Sequence, residues 1–137
     1  MKNVFKNIHT IAVIGCSSNS YRTSHQISKY IQDEGFRLIP INPNETEVLG
    51  ETCYNSVFDL PDDLTIDMFD IFRNKKYTKK MVEEIVKWSQ ETGQKPVIWT
   101  QLNVSTPEAK ELAEEEGFDY IKNRCLMIEH RKLKGDI

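Results

Sequence analysis

The segment Ile11-Ala12-Val13-Ile14-Gly15-Cys16-Ser17-Ser18 most limits what this chain can fold into. Four apolar residues in succession, with no polar alternation, read as a strand buried on both faces, the pattern of a parallel sheet. Gly15 follows at once, where the backbone must turn sharply or let another group approach closely. Small hydroxyl residues lead to Thr23-Ser24-His25-Gln26, where Thr23 and Gln26 have capping-box spacing. Ile27, Tyr30 and Ile31 continue at helical intervals, so the unit is strand, tight loop, helix N-terminus. Such an N-terminus offers unpaired backbone N–H groups and the positive end of a dipole. Residues 15–24 are therefore predicted to contact a phosphate-bearing ligand.

The remaining chain repeats this alternation. A helical lead-in over 1–9 is predicted to pack Val4, Phe5 and Ile8 on a sheet. Strand one covers 10–15, helix one 23–34, and strand two 37–41. Pro40 cannot donate a ladder hydrogen bond, so strand two is an edge or Pro40 lies outside regular pairing. An irregular excursion over 45–60 follows, in which Ser56 caps a short helix. Strand three covers 66–72, and helix two, about 76–92, carries Tyr77, Met81, Val82, Ile85, Val86 and Trp88 as core residues. Asp67 and Asp70 are read as two carboxylates on one face of strand three, capping helices or orienting Arg73. Strand four (96–99) precedes helix three, whose start at Ser105-Thr106-Pro107-Glu108 has a capping box and a first-turn proline. Strand five covers 118–121, and 124–130 forms a final helical turn.

Strands alternating with helices predict an α/β fold, a Rossmann-like open parallel five-stranded sheet with helices on both faces. Right-handed crossovers predict the order 3-2-1-4-5. At 137 residues the chain is one domain, 1–137, with a proper core. A net charge of −3 argues against a general nucleic-acid binder. No apolar run is long enough to span a bilayer and the N-terminus lacks signal-peptide character, so a cytoplasmic protein is expected. Cys16, Cys53 and Cys125 form no CxxC pair, and the histidines are scattered, so neither a disulfide framework nor a metal is predicted.

In an open α/β sheet, ligands bind beyond the carboxyl ends of the strands. Those ends supply Gly15, Cys16, Ser17, Ser18, then Asn42 and Pro43, Phe72 and Arg73, Gln101, and the 123–125 segment. The first loop has no P-loop lysine and one glycine of the three in a dinucleotide fingerprint. Asn42-Pro43 also stands where NAD sites place a ribose-binding carboxylate. With Arg22 and Arg73 for phosphate oxygens and Pro43 and Phe72 as walls for an adenine, a phosphorylated ADP-like group is favoured over NAD.

These residues carry a family resemblance. Ile11–Ser18 with Arg22-Thr23-Ser24, Leu38–Pro43, Leu49-Gly50, Asp67–Arg73, Trp99–Leu102 and Arg124–His130 together resemble the small, stand-alone CoA-binding-domain proteins of the YccU-like family. These are similar to the CoA-binding domain of the succinyl-CoA synthetase alpha subunit and of NDP-forming acyl-CoA synthetases. The resemblance spans about residues 8–133. It implies a bound CoA or acyl-CoA whose nucleotide end lies at Gly15–Ser24, Asn42-Pro43 and Phe72-Arg73. The chain departs from the pattern at Asn103, where the family usually has glycine, and at Asn123, where aspartate commonly stands. The phosphohistidine and nucleotide-grasp domains of the synthetases have no counterpart within these residues, so a binding or regulatory module without catalysis of its own is expected. Three alternatives stay open: NAD(P)-linked redox, thiol chemistry at Cys125 beside Arg124, and a subunit of a split acyl-CoA synthetase completed by a partner protein.

Overall fold

The computed structural model describes residues 3–135; the ends of the predicted 1–9 lead-in and of the 1–137 domain lie outside them. Residues 4–7 form a turn rather than a helix, although Phe5 is buried as expected. The first half then runs β1 (Thr10–Ile14), α1 (Thr23–Asp33), β2 (Arg37–Ile41), β3 (Glu47–Val48) and β4 (Glu51–Thr52). The second half runs β5 (Met68–Ile71), α2 (Thr78–Thr92), β6 (Val97–Thr100), α3 (Pro107–Glu115), β7 (Tyr120–Ile121) and α4 (Leu126–Lys134). Short 3₁₀ turns occupy Val57–Asp59 and Lys75–Tyr77. Ser56 caps the first of these through its hydroxyl, which accepts from Phe58 N–H.

Every residue of β1 is buried, and alternate side chains enter two different cores. Ala12 and Ile14 join Phe69, Ile85, Trp88 and Ala109 on the face covered by α2 and α3. Ile11 and Val13 join Ile27, Ile31, Trp99 and Leu126 on the face covered by α1 and α4. A strand between two apolar layers has no solvent face, which is why its sequence does not alternate. Burying each Leu, Ile or Met side chain contributes about 1.5–3 kcal/mol, so the two layers hold the sheet from both sides.

The five strands pair in parallel throughout, in the order β2-β1-β5-β6-β7. The doubly wound order 3-2-1-4-5 is recovered with one reassignment. The position outside β2 is held by a single residue, Tyr54, which bridges Ile41 in parallel. The 66–72 segment, read from sequence as strand three, instead takes the fourth position, on the far side of β1. The small β3–β4 hairpin accounts for this, because it uses up the 45–60 excursion before a full outer strand can form. Pro40 sits within β2, opposite Val13, and its carbonyl accepts from Tyr54 N–H at 3.0 Å. Its missing donor thus falls on the outer edge, where the single bridge makes no demand for it.

Two predicted caps differ in detail. Arg22, not Thr23, is the N-cap of α1 and makes no side-chain cap bond, while Gln26 reaches back to the Ser20 carbonyl at 3.3 Å. Thr106, not Ser105, caps α3, accepting from Ala109 N–H at 3.2 Å. Ser105 bonds the Tyr120 hydroxyl instead, at 2.8 Å. The final turn at 124–130 extends to a nine-residue helix, α4.

Candidate functional site

The carboxyl ends of β1, β2, β5 and β6 open into one cleft of about 850 Å³. That volume lies in the range of pockets for cofactor-sized molecules. Gly15, Ser17, Arg22, Thr23, Ser24, Asn42, Pro43, Phe72, Arg73, Gln101 and Cys125 all line it, so eleven of the residues singled out by sequence converge on one space.

Gly15 makes that convergence possible. Its φ of +88° lies in the left-handed region, and an added Cβ would sit 2.1 Å from the Phe72 carbonyl oxygen. The close approach inferred from sequence is thus made by the chain itself, where β1 and β5 end side by side. Phe72 N–H donates to Ile14 O at 2.8 Å, and Gly15 N–H to Ile41 O at 2.8 Å, closing the three strand ends together.

The loop after Gly15 is held by its own polar groups. Ser17 N–H donates to Ser24 Oγ at 3.1 Å, Asn19 N–H to Ser17 Oγ at 3.0 Å, and Tyr21 N–H to Asn19 Oδ1 at 2.9 Å. Ser18 N–H donates to the Glu45 carboxylate, and hydrogen bonding from the Ser18 side chain, with that backbone bond second, holds the Glu45 carboxyl below its usual range. The donors the sequence reading assigned to a phosphate at Ser17 and Ser18 are therefore already engaged, and Ser18 does not line the cleft. Thr23 and Ser24 stand ahead of the first intrahelical donors of α1, which are His25 and Gln26 N–H to Arg22 O.

Cys16 also stays away from the cleft lining. It is wholly buried beneath α1, its thiol lies 3.2 Å from Ser28 Oγ, and burial pushes that thiol up to about 11. Its carbonyl accepts from Asn42 Nδ2 at 3.0 Å, while Asn42 Oδ1 accepts from Asn44 N–H at 2.9 Å. Asn42 thus ties the β2 turn to the loop after β1. Gln101 is 4% exposed and both ends of its amide are engaged, Nε2 donating to Asp70 and Oε1 accepting from Leu126 N–H. It links the cleft floor to the start of α4.

Cys125 lines the cleft, half-buried, at the N-cap of α4. Arg124 beside it pairs with Glu129 at 3.5 Å. The two departures from the family pattern prove compatible with the loops that carry them. Asn103 adopts φ +63°, a conformation asparagine tolerates better than most residues and one glycine adopts freely. Asn123 Oδ1 accepts from Ser105 N–H at 2.8 Å and from Val104 N–H at 3.2 Å, pinning the loop after β6 rather than acting on Arg124.

The sequence reading missed several lining residues, among them Tyr21, Asn74, Tyr77 and Leu102. Tyr77 is the main correction, since it was read as core yet is 38% exposed with Arg73 stacked over its ring. It belongs to the 3₁₀ turn ahead of α2, and the tighter winding there breaks the helical phase on which the core reading relied. Tyr21, an aromatic residue 90% exposed in a polar loop, was the available signal for the rim.

Asp67 and Asp70 do not share a face. Three positions apart along a strand is an odd spacing, so the side chains point opposite ways. Asp67 accepts from His9 and Thr10 N–H at 2.9 Å each, holding the start of β1. Asp70 is wholly buried beneath the cleft, with Oδ2 taking Gln101 Nε2–H at 3.2 Å. Its Oδ1 has no partner. Burial raises its pKa well above the ordinary 3.8, against the smaller opposing effect of the Gln101 hydrogen bond. As pH rises past that ordinary value the unfolded chain releases this proton while the folded protein keeps it. Stability from this residue therefore falls as pH rises toward the raised folded value. Asp70→Asn is expected to gain stability relative to the parent between about pH 4 and pH 8. Urea unfolding at both pH values reads this out, and a difference that does not change with pH would contradict the assignment.

Among the described residues no group of three metal-ligating side chains occurs, and no helix is long and apolar enough to cross a membrane.

Similarity to known proteins agrees with this geometry. A match to the CoA binding domain family covers residues 9–131. The uncharacterised protein YneT of Bacillus subtilis is 31% identical over 134 residues, 98% of this chain and 94% of that one. The ADP-forming acetate–CoA ligase of Methanocaldococcus jannaschii is 35% identical over 75 residues, which span 55% of this chain but 10% of the ligase. A solved structure of a hypothetical protein from Pyrococcus horikoshii superposes with a TM-score of 0.87 at 36% identity, covering 96% of this chain and 88% of that one. With a doubly wound sheet and a cleft at its switch point, this chain belongs to the CoA binding domain family.

Proposed function

We propose that the cleft binds CoA or an acyl-CoA, with the ADP-3′-phosphate end toward the loop between β1 and α1. One observation carries this reading. The chain has 21 acidic residues and a net charge of −3, yet no carboxylate is among the residues lining the cleft. Arg22 and Arg73 both face into it, and among the described residues neither has a carboxylate partner. An acidic protein that keeps two uncompensated guanidinium groups beside a helix N-terminus favours an anionic ligand rich in phosphate. Pro43 and Phe72 offer apolar surface for an adenine ring, and Gln101, Leu102 and Cys125 extend the cleft beyond β6 for the pantetheine arm.

On this reading residues 1–137 form one cytoplasmic binding module, regulatory or carrier in role, with no catalysis of its own. A second reading, thiol chemistry at Cys125 or a subunit of a split acyl-CoA synthetase, is favoured by two facts. Cys125 shares the cleft, and the chain matches a segment of acetate–CoA ligases. NAD is disfavoured because Asn42, at the end of β2, is neutral and engaged with Cys16 and Asn44. Calorimetric titration of ligand-stripped protein with CoA, 3′-dephospho-CoA and NAD tests the reading. CoA is expected to bind most tightly, with clear loss on removing the 3′-phosphate. Preferential binding of NAD would overturn it.

A further inference from the structure

We propose that Tyr77 is a positioning residue that aims Arg73 at the phosphates of the bound ligand; this rests on the CoA reading of the cleft. The Arg73 guanidinium carbon lies 4.9 Å from the centre of the Tyr77 ring, and both residues line the cleft. Lower down, Arg73 Cδ lies 3.3 Å from the place a Cβ on Gly15 would occupy, so its stem runs close over that glycine. The stem thus passes beside Gly15, while the guanidinium head is held on the Tyr77 ring. Neither contact uses one of its five N–H donors.

That is the physical interest of the arrangement. A carboxylate partner would orient the guanidinium equally well, but it would neutralise the charge and occupy the fork that a phosphate needs. An aromatic face attracts the cation through its quadrupole and leaves the in-plane donors free. The ring itself is well anchored. Tyr77 N–H donates to Asn74 O at 2.9 Å, Asn74 Oδ1 accepts from Lys76 N–H at 3.0 Å, and the next residue, Thr78, is buried with its hydroxyl on Val104 O at 2.6 Å. Lys76 Nζ, 5.0 Å from the same ring centre, adds a second positive charge beside this shelf. Among the described residues the Tyr77 hydroxyl makes no hydrogen bond, so the ring rather than the phenol is the working part.

A double-mutant cycle on the full chain tests this, with CoA affinity read by calorimetry and folding checked by circular dichroism. Tyr77→Leu is expected to weaken CoA binding about three- to fivefold. Tyr77→Phe should restore the affinity, because it restores the aromatic face. In an Arg73→Ala background, Tyr77→Leu should cost nothing further, since the group it positions is gone. Equal losses from Tyr77→Leu in both backgrounds would overturn the proposal and leave Tyr77 as a simple wall. If the unaltered protein bound no CoA, the underlying reading would fall, and this role with it; that outcome is distinct from a cycle that closes additively.

Discussion

Replacing Gly15 by alanine is expected to destabilise the protein by about 3 kcal/mol or more, and to lower Tm by about 10 °C. Two costs add. The residue is held at φ +88°, where an L side chain is strained, and the new Cβ would meet the Phe72 carbonyl at 2.1 Å. That carbonyl belongs to backbone pinned by Phe72 N–H to Ile14 O, so it cannot retreat without opening the β1–β5 pairing. Relief would have to come from splaying the strand ends, which also spreads the cleft. The loss should therefore appear both in thermal unfolding and in ligand affinity. A melting temperature within a degree or two of the parent would show that the loop absorbs the methyl group without strain.

Removing the cleft's positive charge is expected to have the largest effect on binding. A hydrogen bond to a charged group is worth about 1.5–3 kcal/mol, so Arg73→Ala and Arg22→Ala should each weaken CoA binding about 10- to 100-fold. Arg73→Lys should recover part of the loss, because charge is restored but the planar fork is not. The effect should also depend on the ligand. An arginine that meets the 3′-phosphate will distinguish CoA from 3′-dephospho-CoA in the parent and lose that distinction in the variant. Since neither side chain is paired with a carboxylate among the described residues, stability should be nearly unchanged. Calorimetry with both ligands, alongside a denaturation curve, separates these outcomes. Unchanged affinity in both variants would remove the observation on which the CoA reading stands.

The sequence by itself determined the elements and their layering. An unalternated Ile11–Ile14 requires apolar cover on both faces, and the structure supplies it with α1 and α4 on one side, α2 and α3 on the other. Gly35, Gly93 and Gly117 mark the helix ends, because a chain leaving a helix commonly needs a left-handed residue there. Strand ends in a doubly wound sheet gather at one edge, so the sequence alone places Gly15, Asn42, Phe72, Arg73 and Gln101 together, and they line one cleft.

Only the tertiary structure decided what each of those residues does there. Tyr77 and Met81 have the same helical spacing on paper, but a 3₁₀ turn sends one to the cleft while the other stays in the core. Ser17 and Ser18 look like phosphate donors until Ser24 and Glu45 take their N–H groups. Asp70 shares a strand with Asp67 in the sequence, but the fold turns it to the other face and seals it beneath Gln101, and the outer strand position is filled by Tyr54 alone. Local periodicity and turn chemistry act over a few neighbouring residues, so a linear sequence reports them. Hydrogen-bond partners and charge environments are set by residues brought together from distant parts of the chain, and those pairings exist only once the sheet has formed.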